Sequence, residues 1–320
     1  MTITQLHYVL AVAEHKNFTK AAQKVFVTQP TLSMQIQKLE EELEVTIFDR
    51  TKKPIQLTEV GQKIVQQARN IVNESDRIQD IVDQQKGFIG GIFRLGVIPT
   101  IMPTLLPMFI GNFMKKYPKV KLKIEELHTE AIIEKLKEGH LDAAIAATPL
   151  EIEGIKENVL YYEPFIPYIP SHSGEKKSEK IDVDDLNINN MLLLEDGHCF
   201  KDGIINLCKA SREYEGDQLQ LESGSFETLI KLANEGMGMT LLPYLHTLDL
   251  KDSEKQHLKM FKDPVPAREV SLIYNRSELK MQIIEALRST IASVVKGAIA
   301  FQNVKIISPL NKKKEFEINR

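Results

Sequence analysis

Residues 27–43 read VTQPTLSMQIQKLEEEL, and this stretch predicts a helix with one apolar face and one polar face. The apolar side chains recur every three or four residues, at Leu32, Ile36, Leu39 and Leu43. This spacing is typical of a helix capped by Thr28 or Gln29, with Pro30 in the first turn, where a missing N–H costs little. The opposite face is polar and carries Thr31, Ser33, Gln35 and Lys38. The helix therefore buries one side and exposes the other to solvent or a partner.

Two shorter helices are predicted before this one and a β-wing after it. The first spans residues 5–14, and the second is capped by Thr19 and carries Ala21, Ala22 and Val25. Residues 47–57 suit a β-wing with the basic residues Arg50, Lys52 and Lys53. Two helices joined by a tight turn, the second with a polar face, form the helix-turn-helix design of DNA-binding proteins. Residues 1–58 are therefore predicted to be a winged helix-turn-helix domain.

A long helix follows over residues 59–87. Its small or apolar positions step by four and three residues, at Ile64, Ala68, Ile71, Ser75, Ile78 and Val82. A heptad seam on an otherwise polar helix needs a partner, and the same helix of a second subunit is the simplest one. The segment from Gly87 to Gly91 contains three glycines and is predicted to be a hinge.

Beyond the hinge the pattern becomes α/β. Strand-like runs lie at 92–98, 120–127, 143–147, 191–194, 239–242 and 270–274. Their alternation with helical runs predicts parallel sheets with crossover helices, arranged as two lobes with a cleft between them. We assign the first lobe to 88–163 and 268–303, the second to 164–267, and a tail to 304–320, whose charged end we expect to fray.

Composition excludes several classes of protein. The 320 residues are 42% hydrophobic and 27% charged, with a formal net charge of −3, which is ordinary globular usage. We see no secretory signal and no uninterrupted apolar stretch of about 18 residues, so we expect a cytoplasmic protein without a membrane partner. No Gly-x-Ser-x-Gly, Walker or His-Glu-x-x-His motif indicates an enzyme.

The chain has two cysteines, Cys199 and Cys208. With His198 they provide three metal ligands at most, in a spacing that matches no zinc pattern, so we expect neither a metal nor another cofactor. In a reducing cytosol the two thiols are either buried, inert side chains or working redox groups.

The first 60 residues resemble the LysR family of bacterial transcription regulators. The match is carried by Phe18-Thr19-Lys20-Ala21-Ala22, residues 27–33, Gln35-Ile36, Leu39-Glu40, Phe48-Asp49-Arg50-Thr51 and Leu57-Thr58 with Gly61. The resemblance implies a winged helix-turn-helix DNA-binding domain, a long dimerising linker helix and a two-lobed α/β regulatory domain like a periplasmic binding protein.

A second match resembles the peroxide-sensing loop of some LysR-type regulators. It is carried by residues 192–202, LLLEDGHCFKD, with Cys208 nine positions after Cys199, and by residues 96–100, 227–229 and 238–243. The resemblance implies that hydrogen peroxide oxidises Cys199 to a sulfenic acid, which forms a disulfide with Cys208. It also implies a peroxide pocket made by Thr100, Thr129, His198, Lys201, Asp202 and Arg268. Lys201 replaces the usual arginine and Gln220 a histidine of some relatives, which leaves the pocket's hydrogen bonding open.

The residues themselves indicate how such a sensor would work. Peroxide reacts with a thiolate, which a helix N-terminus and a nearby cation stabilise. Cys199 is predicted near the start of a helix, with His198 and Lys201 as the nearest cations in sequence. If one helix spans both cysteines, nine residues separate them by about 13.5 Å along its axis, on opposite faces. A disulfide needs Cα atoms within roughly 7 Å, so oxidation would have to refold this helix.

On the DNA side, Gln29, Thr31 and Ser33 are predicted to face base edges, because they lie at the N-terminal end of the third helix. Lys20, Arg50, Lys52 and Lys53 would contact phosphate or the minor groove. The acidic residues at 40–42 and 44 leave the first 90 residues without a net basic excess, so each subunit makes few phosphate contacts.

Three hypotheses remain at this point. The first is a peroxide-responsive activator that works as a homodimer or homotetramer on promoter DNA, contacts RNA polymerase and is reset by a thiol reductant of the glutaredoxin or thioredoxin type. The second is a regulator whose cleft binds an organic effector, with incidental cysteines. The third is a thiol peroxidase, which the winged helix argues against.

Overall fold

The computed structural model describes residues 1–85, 89–170, 180–186, 190–195, 197, 199–208, 223–299, 303–309 and 316–319. The chain divides into two units, Met1–Phe88 and Ile89–Arg320, within the glycine-containing segment that we predicted to be a hinge. The first unit combines helices with a short β-hairpin, and the second combines helices with β-sheets.

The N-terminal unit is a winged helix-turn-helix. It contains α1 (Ile3–His15), α2 (Phe18–Lys24), α3 (Gln29–Glu42), β1 (Phe48–Asp49), β2 (Gln56–Leu57) and α4 (Glu59–Gln85). Strands β1 and β2 pair antiparallel, with Phe48 opposite Leu57, as the predicted wing requires. The core is formed by the predicted apolar stripes, including Leu6 and Val9 of α1 and Leu32, Ile36 and Leu39 of α3.

Polar side chains determine where α2 and α3 begin. Asn17 accepts a hydrogen bond from the Lys20 amide at 2.9 Å and caps α2. The expectation that Thr19 caps this helix is wrong, because Asn17 satisfies the amides of the first turn and Thr19 lies inside the helix. Thr28 caps α3 through the Thr31 amide, with Pro30 in the first turn.

The predicted seam of α4 has two different halves. Ala68 is 1% exposed and lies in the core of its own unit, together with Val65 and Val72 of the same helix. Ile64 and Ile71 are half-buried against that core, whereas Ile78 and Val82 are 64% and 38% exposed. The expectation that Ala68 faces a second subunit is therefore wrong, because the first half of α4 packs against its own unit, α1 included.

The C-terminal unit alternates strands and helices. It begins with β3 (Gly91–Val97), α5 (Met102–Lys116), β4 (Val120–Glu126), α6 (Thr129–Lys137), β5 (Ala143–Thr148), β6 (Ile155–Tyr168) and β7 (Lys180–Ile181). It continues with a 3-10 helix (Val183–Asp185), α7 (Cys199–Leu207), α8 (Phe226–Asn234), β8 (Thr240–Pro243), α9 (Tyr244–Leu248) and α10 (Asp252–Lys255). It ends with β9 (Met260–Phe261), β10 (Val265–Asn275), α11 (Met281–Val295), β11 (Asn303–Ile306) and β12 (Phe316–Asn319).

Two long strands connect the two lobes. In the first lobe β3 pairs in parallel with β4 and β5, as predicted, but β10 is antiparallel to β5 and β6. Strand β6 continues into the second lobe and pairs antiparallel with β8, while the start of β10 pairs in parallel with β11. The expectation of parallel sheets throughout is wrong, because a chain that enters the second lobe through β6 must return through β10 in the opposite direction.

Each lobe has its own hydrophobic core. Large buried side chains of the first core include Phe93, Phe109, Phe113 and Leu287, and those of the second include Phe165, Phe200, Leu229 and Phe261. The predicted strand at 191–194 is reduced to an isolated bridge between Met191 and Met239. Strand β6, by contrast, was not predicted, because Pro164 and Pro167 interrupt its alternating pattern.

The end of the chain differs from the expected frayed tail. Strand β11 pairs in parallel with β10, and β12 pairs antiparallel with β11. Val304, Ile306 and Ile307 are each 5% exposed or less, so this segment is part of the fold. Within the described part of the chain, none of the helices is both long enough and apolar enough to cross a bilayer.

Candidate functional site

Cys199 is the first residue of α7. The helix continues without a break to Leu207, and the Cys208 amide donates to the Ile204 carbonyl at 3.0 Å. Gly197, two residues before Cys199, has a φ of +88°, a backbone conformation that glycine adopts without strain. The chain thus turns just ahead of Cys199 and places its thiol at the N-terminal end of the helix.

The Cys199 thiol contacts the first lobe. Its Sγ lies 2.7 Å from Oγ1 of Thr129, which begins α6 and is 7% exposed. Cys199 itself is half-buried against the edge of the first hydrophobic core. Beside it, His128 places Nδ1 3.3 Å from the Gly197 carbonyl oxygen. These contacts hold the start of a second-lobe helix against the helix ends of the first lobe.

Arg268 connects the same region to β10. Its guanidinium donates to Thr100 Oγ1 at 2.9 Å and to the Thr100 carbonyl at 3.2 Å. It also lies over the Phe200 ring, with Cζ 5.1 Å from the ring centroid. Both Arg268 and Thr100 are buried, at 2% and 5% exposure. The arginine therefore links a hydroxyl of the first lobe with the first turn of α7.

Glu163 is a site residue that the sequence analysis missed. Its Oε2 accepts two hydrogen bonds from Arg268, at 2.7 and 2.9 Å, and its Oε1 accepts the Leu245 amide at 2.9 Å. The carboxylate is 1% exposed, which is tolerable only because these donors compensate its burial. A usable signal existed: one glutamate within the apolar run of residues 161–169 requires a buried cationic partner.

Burial dominates the titration of Cys199. Loss of solvent raises the pKa of its thiol above the ordinary value, while the Thr129 hydrogen bond and the Arg268 charge lower it and Asp202 raises it. We expected the helix N-terminus, His198 and Lys201 to depress this pKa. That expectation is wrong for the resting site, because desolvation outweighs the favourable contacts and the cation that acts is Arg268. His198 lies outside the described residues.

Cys208 is held apart from Cys199. Both cysteines are free thiols, and Cys208 is half-buried against the second hydrophobic core rather than the first. Burial raises its pKa to about 11. With α7 continuous, the two residues lie about 13.5 Å apart along the helix axis, well beyond the span of a disulfide.

The remaining pocket residues lie on α7. Lys201 is half-buried and Asp202 is exposed, in the first turn after Cys199. The structure thus brings Cys199, Thr129, Thr100 and Arg268 to one region and keeps Cys208 away from it. Among the described residues, no cluster of three or more His, Cys, Asp and Glu side chains has the arrangement of a metal site.

The predicted DNA-reading helix exposes the expected polar face. Gln29, Thr31 and Lys38 are exposed, and Ser33 and Gln35 are half-buried. Gln35 accepts a hydrogen bond from Gln5 of α1 at 3.4 Å, so it also contacts its own unit. The basic residues Lys20, Lys52 and Lys53 are exposed as well. This surface combines hydroxyl, amide and ammonium groups, which suit base edges and phosphate.

Arg50 forms contacts within the N-terminal unit. Its guanidinium donates to Glu40 Oε2 at 2.7 Å and lies 5.1 Å from the Phe18 ring centroid. Glu40 Oε1 in turn accepts the Ile47 and Phe48 amides at 2.8 and 3.2 Å. That Arg50 contacts phosphate or the minor groove stays a prediction. Within its own unit Arg50 also connects α3 with the wing, and it offsets the charge of Glu40.

Two family models match the chain. Residues 3–62 match "Bacterial regulatory helix-turn-helix protein, lysR family", and residues 86–296 match "LysR substrate binding domain". Together they cover both units on either side of the division at Phe88.

Curated relatives and solved structures match over nearly the whole chain. The "Hydrogen peroxide-inducible genes activator" of Pectobacterium carotovorum is 34% identical over 298 residues, which is 93% of this chain and 98% of that protein. Full-length OxyR from Pseudomonas aeruginosa with a cysteine-to-aspartate change has a TM-score of 0.74 and 32% identity, covering 91% and 98% of the two chains. A peroxide-bound cysteine mutant of Corynebacterium glutamicum OxyR has a TM-score of 0.62 and 26% identity, covering 93% of each chain.

Proposed function

The chain belongs to the LysR family of DNA-binding transcriptional regulators, in its OxyR group, and on that premise we propose that it senses hydrogen peroxide through Cys199. One observation carries the proposal: the only described thiol at the lobe boundary lies 2.7 Å from the Thr129 hydroxyl, next to the buried Arg268–Thr100 pair. The curated relative is an activator of hydrogen peroxide-inducible genes, and one solved relative is a cysteine mutant of OxyR with peroxide bound.

The first chemical step is attack of the Cys199 sulfur on one peroxide oxygen. The O–O bond breaks, an S–O bond forms, and one water leaves with the proton of the thiol, so that thiol and peroxide give sulfenic acid and water. The sulfur loses two electrons and the peroxide gains them. Thr100, Thr129 and Arg268 supply hydroxyl and guanidinium groups that can hold the peroxide and stabilise the departing oxygen.

The pocket acts on the deprotonation of the Cys199 thiol. Because the pKa of Cys199 is raised, the thiol is the resting form at neutral pH. Thr129 Oγ1 lies within hydrogen-bond distance of Cys199 Sγ, and a hydrogen bond from its hydroxyl and the charge of Arg268 both favour the thiolate. Burial thus keeps Cys199 protonated and unreactive until peroxide occupies the pocket. This favours reaction with peroxide over reaction with other oxidants.

The second step joins the two cysteines. The Cys208 sulfur displaces the sulfenic hydroxyl, an S–S bond forms and a second water leaves. Because α7 holds the thiols about 13.5 Å apart, this bond requires α7 to unwind. Two incompatible backbone shapes provide the two states that a switch needs. A thiol reductant of the glutaredoxin or thioredoxin type would restore the starting form.

The proposed sensor acts on transcription by binding to promoter DNA. In this proposal the winged helix-turn-helix of residues 1–58 reads the operator through Gln29, Thr31 and Ser33, and Lys20, Lys52 and Lys53 contact phosphate. The exposed Ile78 and Val82 of the linker helix, residues 59–87, pair with a second subunit. The homodimers assemble into a homotetramer in the cytoplasm, and oxidation promotes contact with RNA polymerase at antioxidant genes.

The test combines thiol titration with DNA footprinting. We expect micromolar peroxide to remove two thiols per chain, dithiothreitol to restore both, and the operator footprint to change with them. Cys199→Ser should abolish the peroxide response, whereas Cys208→Ser should stop at a sulfenic acid that dimedone traps. An unchanged footprint response in Cys199→Ser would refute the proposal and favour an organic effector in the cleft.

A further inference from the structure

The segment of residues 303–309 docks beside the switch. Its strand β11 pairs with the start of β10, in the register Val265–Val304 and Ala267–Ile306, and the Ile307 amide donates to the Ala267 carbonyl at 2.8 Å. Ala267 directly precedes Arg268, the arginine of the candidate peroxide pocket. The match to the LysR substrate-binding model ends at residue 296, so this segment lies beyond it.

The same segment contacts the end of α7 that carries Cys208. Asn206 of α7 donates its side-chain amide to the Ser308 carbonyl at 2.9 Å. Ile307 and Leu207 are each 5% exposed and belong to the same hydrophobic core. A hydrogen bond and a shared hydrophobic core therefore connect the two residues just before Cys208 to the residues that directly follow β11.

These contacts are incompatible with an unwound α7. When the Cys208 end of α7 moves toward Cys199, Asn206 and Leu207 move with it, so the hydrogen bond to Ser308 breaks and Leu207 leaves the core that it shares with Ile307. This segment therefore acts on the chemistry of the cysteines through the conformation of α7. A contact present only in the helical state stabilises that state relative to the disulfide state.

We propose that residues 303–309 form a strap that holds the C-terminal end of α7 helical and thereby makes the Cys199–Cys208 disulfide harder to form. The redox consequence rests on the proposed peroxide-sensing function. The mechanical part, that the strap restrains α7, does not depend on it.

Two adjacent isoleucines provide a matched test. Ile307 faces the second-lobe core that includes Leu207, whereas Ile306 packs with Val304 and Ala267 in a separate cluster. They are 5% and 3% exposed, so Ile307→Ala and Ile306→Ala remove the same atoms from equally buried positions. We expect the two variants to lose similar amounts of global stability. Only Ile307→Ala should release α7.

The primary measurement is amide hydrogen exchange over residues 204–208 in reduced, full-length protein. We expect exchange to be about tenfold faster in Ile307→Ala than in wild type, since removing buried methyl groups from the core that holds Leu207 lowers the free energy of local opening. Ile306→Ala should change this exchange rate less than about threefold, because Ile306 packs in a separate cluster that contains no residue of α7. Equal acceleration in both variants, or none in Ile307→Ala, would overturn the strap.

A redox titration then tests the consequence. In a dithiothreitol buffer series, the Ile307→Ala disulfide should form at an equilibrium constant about tenfold more favourable than in wild type. If wild type forms no disulfide at all, the proposed function fails while the exchange result still decides whether the strap restrains α7. If wild type forms it and Ile307→Ala shifts nothing, the regulatory role of the strap is refuted.

Discussion

Single side chains decide how reactive Cys199 is. Its position at the start of α7 favours the thiolate, yet burial raises its pKa, and Thr129 and Arg268 offset the burial only in part. The reactive sulfur is therefore a protonated thiol at rest. Its chemistry depends on groups supplied by the first lobe and β10 as well as on Asp202, three residues further along α7.

The raised pKa of Cys199 predicts the pH profile of its oxidation. Below that pKa only a small, pH-dependent fraction is thiolate, so the rate constant for peroxide should rise by roughly tenfold per pH unit. Because the pKa lies above the ordinary value, the rise should continue past pH 8.5. Stopped-flow oxidation of Cys208→Ser protein between pH 6 and 10 measures this. A plateau reached below pH 7 would contradict it.

Phe26 has an unfavourable backbone conformation in the turn between α2 and α3. Its φ is +57°, in the left-handed region, and its side chain is 95% exposed, so no burial compensates the conformation. We expect Phe26→Asn to raise the free energy of unfolding of the N-terminal unit by about 0.5–1 kcal/mol. Phe26→Leu, which also has a branched carbon chain at this φ, should leave it unchanged. Urea unfolding of wild type, Phe26→Asn and Phe26→Leu measures these differences in unfolding free energy.

At the level of elements, α7 is the part that the proposed switch would rearrange. It is short, it begins at one cysteine and ends next to the other, and it spans the edges of two cores. A nine-residue helix has little intrinsic stability in water, so tertiary contacts such as those of Phe200 and Leu207 hold it. Such a helix can exchange one backbone shape for another at moderate cost.

While α7 is helical, the Cys208 thiol should also react slowly with alkylating reagents. With a pKa of about 11, its thiolate is about a thousandth of the population at pH 8, so alkylation should be roughly 100-fold slower than for an exposed cysteine. The experiment uses iodoacetamide on Cys199→Ser protein, with mass spectrometry to count modified chains. In 8 M urea the same thiol should react at the ordinary rate. Equal rates with and without urea would show that burial does not protect it.

At the scale of the whole C-terminal unit, the two lobes meet at β6 and β10. Glu163 of β6 and Arg268 of β10 are opposite each other in the register and form an ion pair that is almost fully buried. From this pair, bonds run to Thr100 in the first lobe and to the start of α9 through the Leu245 amide. The pair thus positions the arginine of the proposed peroxide pocket.

Glu163→Gln should weaken this junction strongly. Removing one charge leaves Arg268 buried without its counterion, which costs about 3 kcal/mol of unfolding free energy. It should also slow Cys199 oxidation, because Thr100 and Arg268 lose their fixed geometry. The matched control is Glu285→Gln, which breaks the exposed pair with Arg288 and should cost under about 1 kcal/mol. Equal costs in urea unfolding would show that the buried pair has no special role.

The periodic parts of the fold could be predicted from local patterns. Leu32, Ile36 and Leu39 indicated α3, and the alternating units indicated two lobes, because helical and strand periods are properties of consecutive residues. The antiparallel return of β10, the missed β6 and the docked end of the chain could not be predicted. These depend on pairing between segments that are distant in sequence.

By itself, the sequence determined the winged helix-turn-helix, the α/β unit and the presence of two thiols nine residues apart, because each follows from residue type and spacing. Tertiary structure alone decided that Arg268 and Thr129 flank Cys199, that Glu163 holds Arg268, and that half of the α4 seam is buried. The physical reason is desolvation. Burial sets the pKa of a thiol and the need of a charge for a counterion, and burial is a property of the folded chain as a whole.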